Sequence, residues 1–292
     1  MEEKFSRKNM TTNFKGELID FSSPKVMGIL NITPDSFYLG SRKQTEKEIA
    51  ERVIQLLEEG ADMIDVGGYS SRPNAAFVSE EEEISRLKNG LEIIFRESPK
   101  TIVSIDTFRS NVAKECLEQF GELIINDISA GELDKKMFDT IAKYQVPYII
   151  MHMRGTPQSM MQHTEYNRLL PEILCYFAEK INTLHQKGVN DIWVDPGFGF
   201  SKTTAQNYEI LAHLEQFTIF ELPLLVGISR KTMIREVIDI LPEDALTGTI
   251  ALNTFSLMHG ANIIRVHDVK EAVQTVQIYN KLKQGEKCSI LE

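Results

Sequence analysis

Polar and charged residues recur at the trailing ends of short apolar runs in this chain: Asn31, Asp65, Asp106, Asn126, His152, Asp195, Ser229 with Arg230 and Lys231, and Arg265 with His267. Their types divide into two sets. Asp106, Asn126 and Asp195 supply acceptors and an amide, which suit the fixed donor and acceptor edge of a flat nitrogen heterocycle. Lys231, Arg265 and His267 suit an anion, and an arginine can grip a phosphate through two parallel hydrogen bonds. A site with both halves implies a ligand with both features. Each residue alone reads equally as a helix cap or turn former, Asp195 before Pro-Gly above all. Their gathering at strand ends is what argues for chemistry.

Such a gathering needs a scaffold that brings distant strand ends to one place. Short β-branched runs recur, each followed by a Gly, Asp, Asn or Ser cluster and then a longer amphipathic stretch, the rhythm of repeated βα units. The pattern predicts strands over 26–32, 63–66, 102–105, 123–126, 147–151, 192–194, 224–228 and 262–266. Helices are predicted over 45–59, 79–96, 109–120, 135–144, 171–187, 203–214, 231–239, 244–258 and 269–283. The strands at 100–106 and 222–228 are nearly continuous apolar runs, as expected where both faces of a parallel sheet are covered. About eight such units predict an α/β fold, a single (β/α)8 TIM barrel with parallel strands. The alternative, a doubly wound open sheet, lacks a Gly-rich dinucleotide fingerprint after the first strand. The expected division is an N-terminal extension over 1–24, the barrel over 25–284 and a tail over 285–292, with both termini polar enough to fray.

Composition narrows the function classes. The 292 residues carry a formal net charge of −10, which argues against a nucleic-acid binder, since neutralising phosphates requires a basic face. Cys116, Cys175 and Cys288 are far apart and show no metal-finger spacing, so they read as reduced thiols. No apolar run reaches the roughly 18 residues of a membrane span, and residues 1–20 do not resemble a signal peptide. A cytoplasmic location without membrane partners is expected.

The segment Val26-Met-Gly-Ile-Leu-Asn-Ile-Thr-Pro-Asp-Ser-Phe37 closely resembles the first signature of the dihydropteroate synthase family. Gly60-Ala-Asp-Met-Ile-Asp-Val-Gly-Gly-Tyr-Ser-Ser-Arg-Pro73 resembles the second, with Tyr69, Ser71 and Asn74 replacing the commoner Glu, Thr and Gly. Further matches begin at Ser104, Ile125, Met151, Asp195 and Gly227, and end with Arg265-Val-His267.

The resemblance implies a transferase that condenses 6-hydroxymethyl-7,8-dihydropterin diphosphate with 4-aminobenzoate in folate biosynthesis, with sulfonamides as 4-aminobenzoate mimics. It implies a pterin slot of Asp106, Asn126, Met153, Asp195 and Lys231, and a diphosphate pocket of Asn31, Arg265 and His267. Asn31 is also implied as a ligand to Mg²⁺. For 4-aminobenzoate it implies Ser71, Arg72, Pro73, Phe200, Lys231 and Thr232, with Thr232 at a helix start that favours the carboxylate. Asp35, Arg72, Lys231, Arg265 and His267 carry the catalytic expectation, the first two on loops 33–42 and 69–77 that resemble the family's closing loops. Thr107, Arg109 and Asp127 read instead as caps of the following helix. Family precedent implies a homodimer. The alternatives are a corrinoid-dependent pterin-binding methyltransferase, for which the Ser-Arg-Lys and Arg-Val-His motifs have no use, and a non-catalytic pterin-binding paralogue, suggested by Tyr69 and Asn74.

Overall fold

Side chains alternate along every central strand between an inner and an outer core, and this alternation sets what the site is built on. A computed structural model describes residues 10–32, 42–70 and 77–288. A hairpin of β1 (Thr11–Phe14) and β2 (Glu17–Asp20) precedes β3 (Lys25–Asn31), β4 (Met63–Gly67), β5 (Ile102–Asp106), β6 (Ile124–Asp127), β7 (Tyr148–Met151), β8 (Ile192–Asp195), β9 (Leu225–Val226) and β10 (Ile263–Val266). The last eight form one sheet in the order β8-β7-β6-β5-β4-β3-β10-β9. All their pairings are parallel, and a parallel bridge between Val194 and Leu224 brings the two edges together. The predicted parallel barrel is borne out.

Helices alternate with these strands: α1 (Arg42–Glu58), α2 (Glu80–Glu97), α3 (Ser110–Phe120), α4 (Met137–Tyr144), α5 (Leu169–Gln186), α6 (Thr204–Ala212), the pair α7 (Thr232–Ile238) and α8 (Leu246–Met258), and α9 (Val269–Cys288). Their starts follow local chemistry. Ser79 accepts from Glu82 N at the head of α2, and Thr203 with Gln206 closes a reciprocal capping box at the head of α6. Outward-facing Leu30, Val66, Val103, Ile105 and Val266 pack with Leu56, Leu87, Leu91, Val112 and Val269 of the surrounding helices. Each fully buried aliphatic chain of this kind contributes about 1.5–3 kcal/mol.

Inside the barrel the lower layer is apolar. Met27, Met63, Ile124, Ile149, Trp193, Leu225 and Ile263 form a second core with Phe14, Ile19 and Phe21. The hairpin is therefore the floor of the barrel, although the sequence reading places no strand before residue 26 and leaves this end to fray. Its turn uses Lys15 and Gly16 at φ 53° and 77°, two left-handed residues in succession whose twist matches the flanking strands. Trp193 Nε1 donates to Thr12 Oγ1 at 2.8 Å, satisfying the buried indole from the plug. With the floor sealed, the inner face turns polar only towards the C-terminal ends of the strands. Those ends share one mouth because the strands are parallel.

Candidate active site

The upper inner layer centres on Arg265 of β10. Its Nε donates to Asp65 Oδ2 at 2.6 Å and its Nη2 to Asp106 Oδ2 at 3.2 Å. Asn126 Nδ2 donates to the same Asp65 oxygen at 3.2 Å, so β4, β5, β6 and β10 meet in one network. Asp65 is fully buried, and its Oδ1 has no partner. Asp106 reaches the mouth, its side chain 22% exposed. Desolvation and the neighbouring Asp65 raise its pKa to about 7, against the pull of Arg265. Gly67 lies in register between Asn31 of β3 and Asp106 of β5, and a Cβ there would meet Asp106 Cβ at 3.6 Å and Asn31 Oδ1 at 3.8 Å.

Across the mouth, the turn after β8 carries Asp195 and Phe200. Asp195 is buried, which raises its pKa, while Lys231 and the Gly197 N–H, donating to Oδ1 at 2.8 Å, oppose the rise. Lys231 Nζ donates to Phe198 O and lies 4.9 Å from the centre of the Phe200 ring. Burial lowers the Lys231 pKa to about 8, partly offset by Asp195. Gly199 sits against the lysine stem, where a Cβ would lie 3.2 Å from Lys231 Cδ. The ammonium thus covers the Phe200 face, and a ring seated between Phe200 and the stem must displace it.

Met153 belongs to a small apolar cluster with Ile128, Met151 and Met160, flanked by Phe108, Leu133 and Phe200. It offers a flat apolar wall beside the polar groups. His267 lies just past the end of β10, two residues beyond Arg265; its Nδ1 lies 3.1 Å from Ser229 Oγ, and Arg52 Nη2 holds its carbonyl at 2.7 Å. Thr232 opens α7, exposed, with its hydroxyl accepting from Arg235 Nη2 at 2.9 Å.

The predicted residues Asn31, Asp106, Asn126, Met153, Asp195, Phe200, Lys231, Thr232, Arg265 and His267 therefore all lie at or beside the C-terminal mouth. Asp35, Ser71, Arg72, Pro73 and Asn74 lie outside the described residues. The neighbours read as structural behave so. Asp127 faces away from the barrel axis and accepts from Ser129 N, Gly131 N and Tyr148 OH. Arg109 pairs with buried Glu83 at 2.6 Å and holds Val78 O, and α3 is capped by Asp134 instead, which accepts from Ser110 N. Arg230, at φ 58°, turns out to grip Asp268 through Nε and Nη2.

Three residues escaped the expected site. Asp65 was visible as a charge inside an apolar run, but nothing in the sequence tells that it serves Arg265. Glu83 reads as one of four consecutive glutamates at a helix start, 80–83, yet it is fully buried. Lys202, between a turn and a helix, reads as a surface lysine and is 2% exposed.

Two further hollows lie elsewhere. One of about 220 Å³ includes Thr12, Asn190 and Pro223 near the plugged end, and one of about 540 Å³ includes Ser110, Lys114 and Asp134 between helices. Neither contains the Arg265 network. Among the described residues no group of three or more His, Cys, Asp or Glu side chains is placed to hold a metal. The oxygen chemistry at the mouth nonetheless fits Mg²⁺ brought in with a diphosphate: this ion takes one or two protein oxygens and completes its shell with phosphates and water. Asn31 Oδ1 is such an oxygen, at the C-terminal end of β3.

Comparison with known proteins identifies the family and the fold. Residues 27–267 match the family model described as pterin binding enzyme. The chain is 40% identical over 266 residues to the dihydropteroate synthase of Escherichia coli K12, covering 90% of this chain and 93% of that one. It is 41% identical over 249 residues to the Clostridium beijerinckii dihydropteroate synthase, covering 84% and 89%. Among solved structures, a Yersinia pestis dihydropteroate synthase in a sulfonamide drug complex superposes with a TM-score of 0.87 at 38% identity, covering 94% of this chain and 100% of that one. A Xanthomonas albilineans dihydropteroate synthase with 7,8-dihydropteroate gives 0.83 at 31%, covering 94% and 98%.

Proposed function

This chain belongs to the pterin-binding enzymes and, among them, to the dihydropteroate synthase family, and from that premise we infer how its site works. It is a transferase that condenses 6-hydroxymethyl-7,8-dihydropterin diphosphate with 4-aminobenzoate, giving 7,8-dihydropteroate and diphosphate in folate biosynthesis. The observation that carries the site assignment is the Arg265 bridge between Asp65 and Asp106, which sets a guanidinium and a carboxylate edge side by side at one mouth.

Asp106, Asn126 and Asp195 face the pterin's donors and acceptors, with Met153 against its flat face and Lys231 over its edge. An ionised carboxylate is a two-acceptor fork suited to an amino group and a ring N–H. Asn31, Arg265 and His267 receive the diphosphate. Phe200, the Lys231 stem and Thr232 receive 4-aminobenzoate, completed by Ser71, Arg72 and Pro73. Asp35 and Arg72 belong to loops that close over the mouth and exclude water.

The C–O bond to diphosphate breaks first, and its electron pair leaves with diphosphate. Arg265 and His267 oppose the charge that develops on the leaving group; such preorganised electrostatics needs no protein nucleophile. Asp106 and Asp195 stabilise the positive charge spread over the dihydropterin. The arylamine nitrogen then forms the C–N bond and releases one proton. Asn31 would hold Mg²⁺, which supplies additional neutralisation of the diphosphate.

Two partner-level readings accompany this. Exposed Phe255, Met258, Ile278 and Leu282 on α8 and α9 support a homodimer through these helices. The described residues contain no helix long and apolar enough to cross a membrane, which supports a cytoplasmic enzyme. The test of function is a steady-state assay of dihydropteroate with both substrates, Mg²⁺ and a sulfonamide. Inhibition competitive with 4-aminobenzoate is expected; product formation indifferent to the sulfonamide would contradict the 4-aminobenzoate site.

A further inference from the structure

We propose that Lys202 is a positioning residue for the reaction: from behind the site it holds the turn after β8 so that Asp195 and Phe200 present the two substrates to each other. The inference rests on the synthase reading above.

A lysine is almost never fully buried without partners. Lys202 finds them in backbone carbonyls rather than a carboxylate. Its Nζ donates to Gly197 O and Phe200 O, each at 2.9 Å, and lies 3.3 Å from His152 O and 3.0 Å from His152 Nδ1. It thereby ties the turn after β8 to the end of β7.

The turn is shaped to meet it. Gly197, Gly199 and Ser201 have φ of 73°, 79° and 51°, so left-handed residues alternate with ordinary ones. The carbonyls of Gly197 and Phe200 meet Lys202, while that of Phe198 meets Lys231. Two lysines grip one turn, one from the protein interior and one from the mouth. The residues that Lys202 holds are also those that touch the chemistry. Gly197 N–H orients the Asp195 carboxylate at 2.8 Å, and Phe200 carries the ring beneath Lys231.

The backbones are already in close approach, since a Cβ on Gly197 would lie 2.2 Å from His152 O. Without the Nζ donors, the carbonyls of His152 and Phe200 lose this partner and that of Gly197 keeps only the Phe200 N–H at 3.1 Å, in a buried space, which costs free energy until they move apart. Such movement carries Asp195 and Phe200 with it, and a misplacement of about 1 Å can lower a rate about 100-fold.

The test compares wild type with Lys202→Met, which keeps the apolar stem and removes the donors, and Lys202→Gln, which restores two N–H donors without charge. For each, the melting temperature, pterin Kd, KM for 4-aminobenzoate and kcat are measured. In folded Lys202→Met, kcat is expected to fall about 100-fold, with pterin binding about tenfold weaker and Lys202→Gln recovering part of both. Values of kcat and Kd within twofold of wild type in folded Lys202→Met would overturn the proposal. If Lys202→Met does not fold, Lys202→Gln decides alone: its shorter side chain with two N–H donors cannot serve all three carbonyls, so kcat and Kd within twofold of wild type overturn the proposal, and values reduced beyond that in folded protein support it. Absence of dihydropteroate from wild type counts against the synthase reading instead, and the pterin Kd series then decides for Lys202.

Discussion

Arg265 and Asp65 stand 200 positions apart in the chain, yet Arg265 Nε donates to Asp65 Oδ2 at 2.6 Å inside the barrel. Asp65 is fully buried, so its service to the reaction is to fix the guanidinium plane that Asp106 then shares. A planar fork makes both contacts, whereas an ammonium is a point charge. Arg265→Lys is therefore expected to lower kcat/KM about 10- to 100-fold through misplacement of the charge. Arg265→Ala also leaves buried Asp65 without its cation and is expected to cost about 3–5 kcal/mol of stability by urea denaturation. Stability unchanged in Arg265→Ala would show that the bridge holds nothing.

The pH dependence follows from two opposed shifts. Asp106 is raised to about 7 by burial beside Asp65, and Lys231 is lowered to about 8 by burial. Asp106 accepts hydrogen bonds with full strength only when ionised, above about 7, and Lys231 is cationic only below about 8. Because kcat/KM reports the free enzyme, its profile is expected to be a narrow bell falling on either side of this interval. Lys231→Arg is expected to remove the alkaline limb while lowering the maximum. For folding the sign differs: the raised Asp106 contributes stability that is full below the ordinary carboxylate pKa and is lost as pH rises through about 7. A flat kcat/KM between pH 6 and 9 would contradict both assignments.

The barrel floor separates stability from chemistry. Thr12→Val leaves the buried Trp193 N–H without its partner and is expected to cost about 1–3 kcal/mol. Phe21→Ala opens a cavity in the same core and is expected to cost about 3–5 kcal/mol. Both residues belong to the plugged end, opposite the mouth. The folded variants are expected to retain kcat within twofold. A large loss of kcat at unchanged stability would link the floor to the site.

Arg109 gives a further test of stability. It is the cationic partner of Glu83, whose side chain is fully buried and whose Oε1 has no partner. Arg109→Met is expected to lower stability by about 3–5 kcal/mol, and Glu83→Gln in the same chain to restore part of it. The melting temperatures of the two single variants and the double variant measure this coupling.

The barrel was legible because eight apolar runs punctuated by turn residues carry the βα period, and the boundaries fall within a few residues of β3 to β10. The hairpin was not: Thr11–Phe14 and Glu17–Asp20 are held by the barrel floor they cover rather than by a run of apolar residues of their own. At the site, groups that point into the mouth from strand ends could be picked out by type. Asp65 stands among those strand-end groups but with no role to be read for it, and Glu83 and Lys202 do not stand out at all, because the work of all three is to hold other residues. Nothing in a string of letters distinguishes a lysine that collects three carbonyls from one that meets water.

The most direct measurement follows diphosphate release and dihydropteroate formation in parallel, from the dihydropterin diphosphate and 4-aminobenzoate with and without Mg²⁺, in wild type, Lys231→Ala and Arg265→Ala. The expected result is equal, Mg²⁺-dependent production of both in wild type, with both crippled in the two variants. Folded wild-type protein that binds the pterin but yields no dihydropteroate would contradict the synthase and leave a pterin-binding protein without turnover.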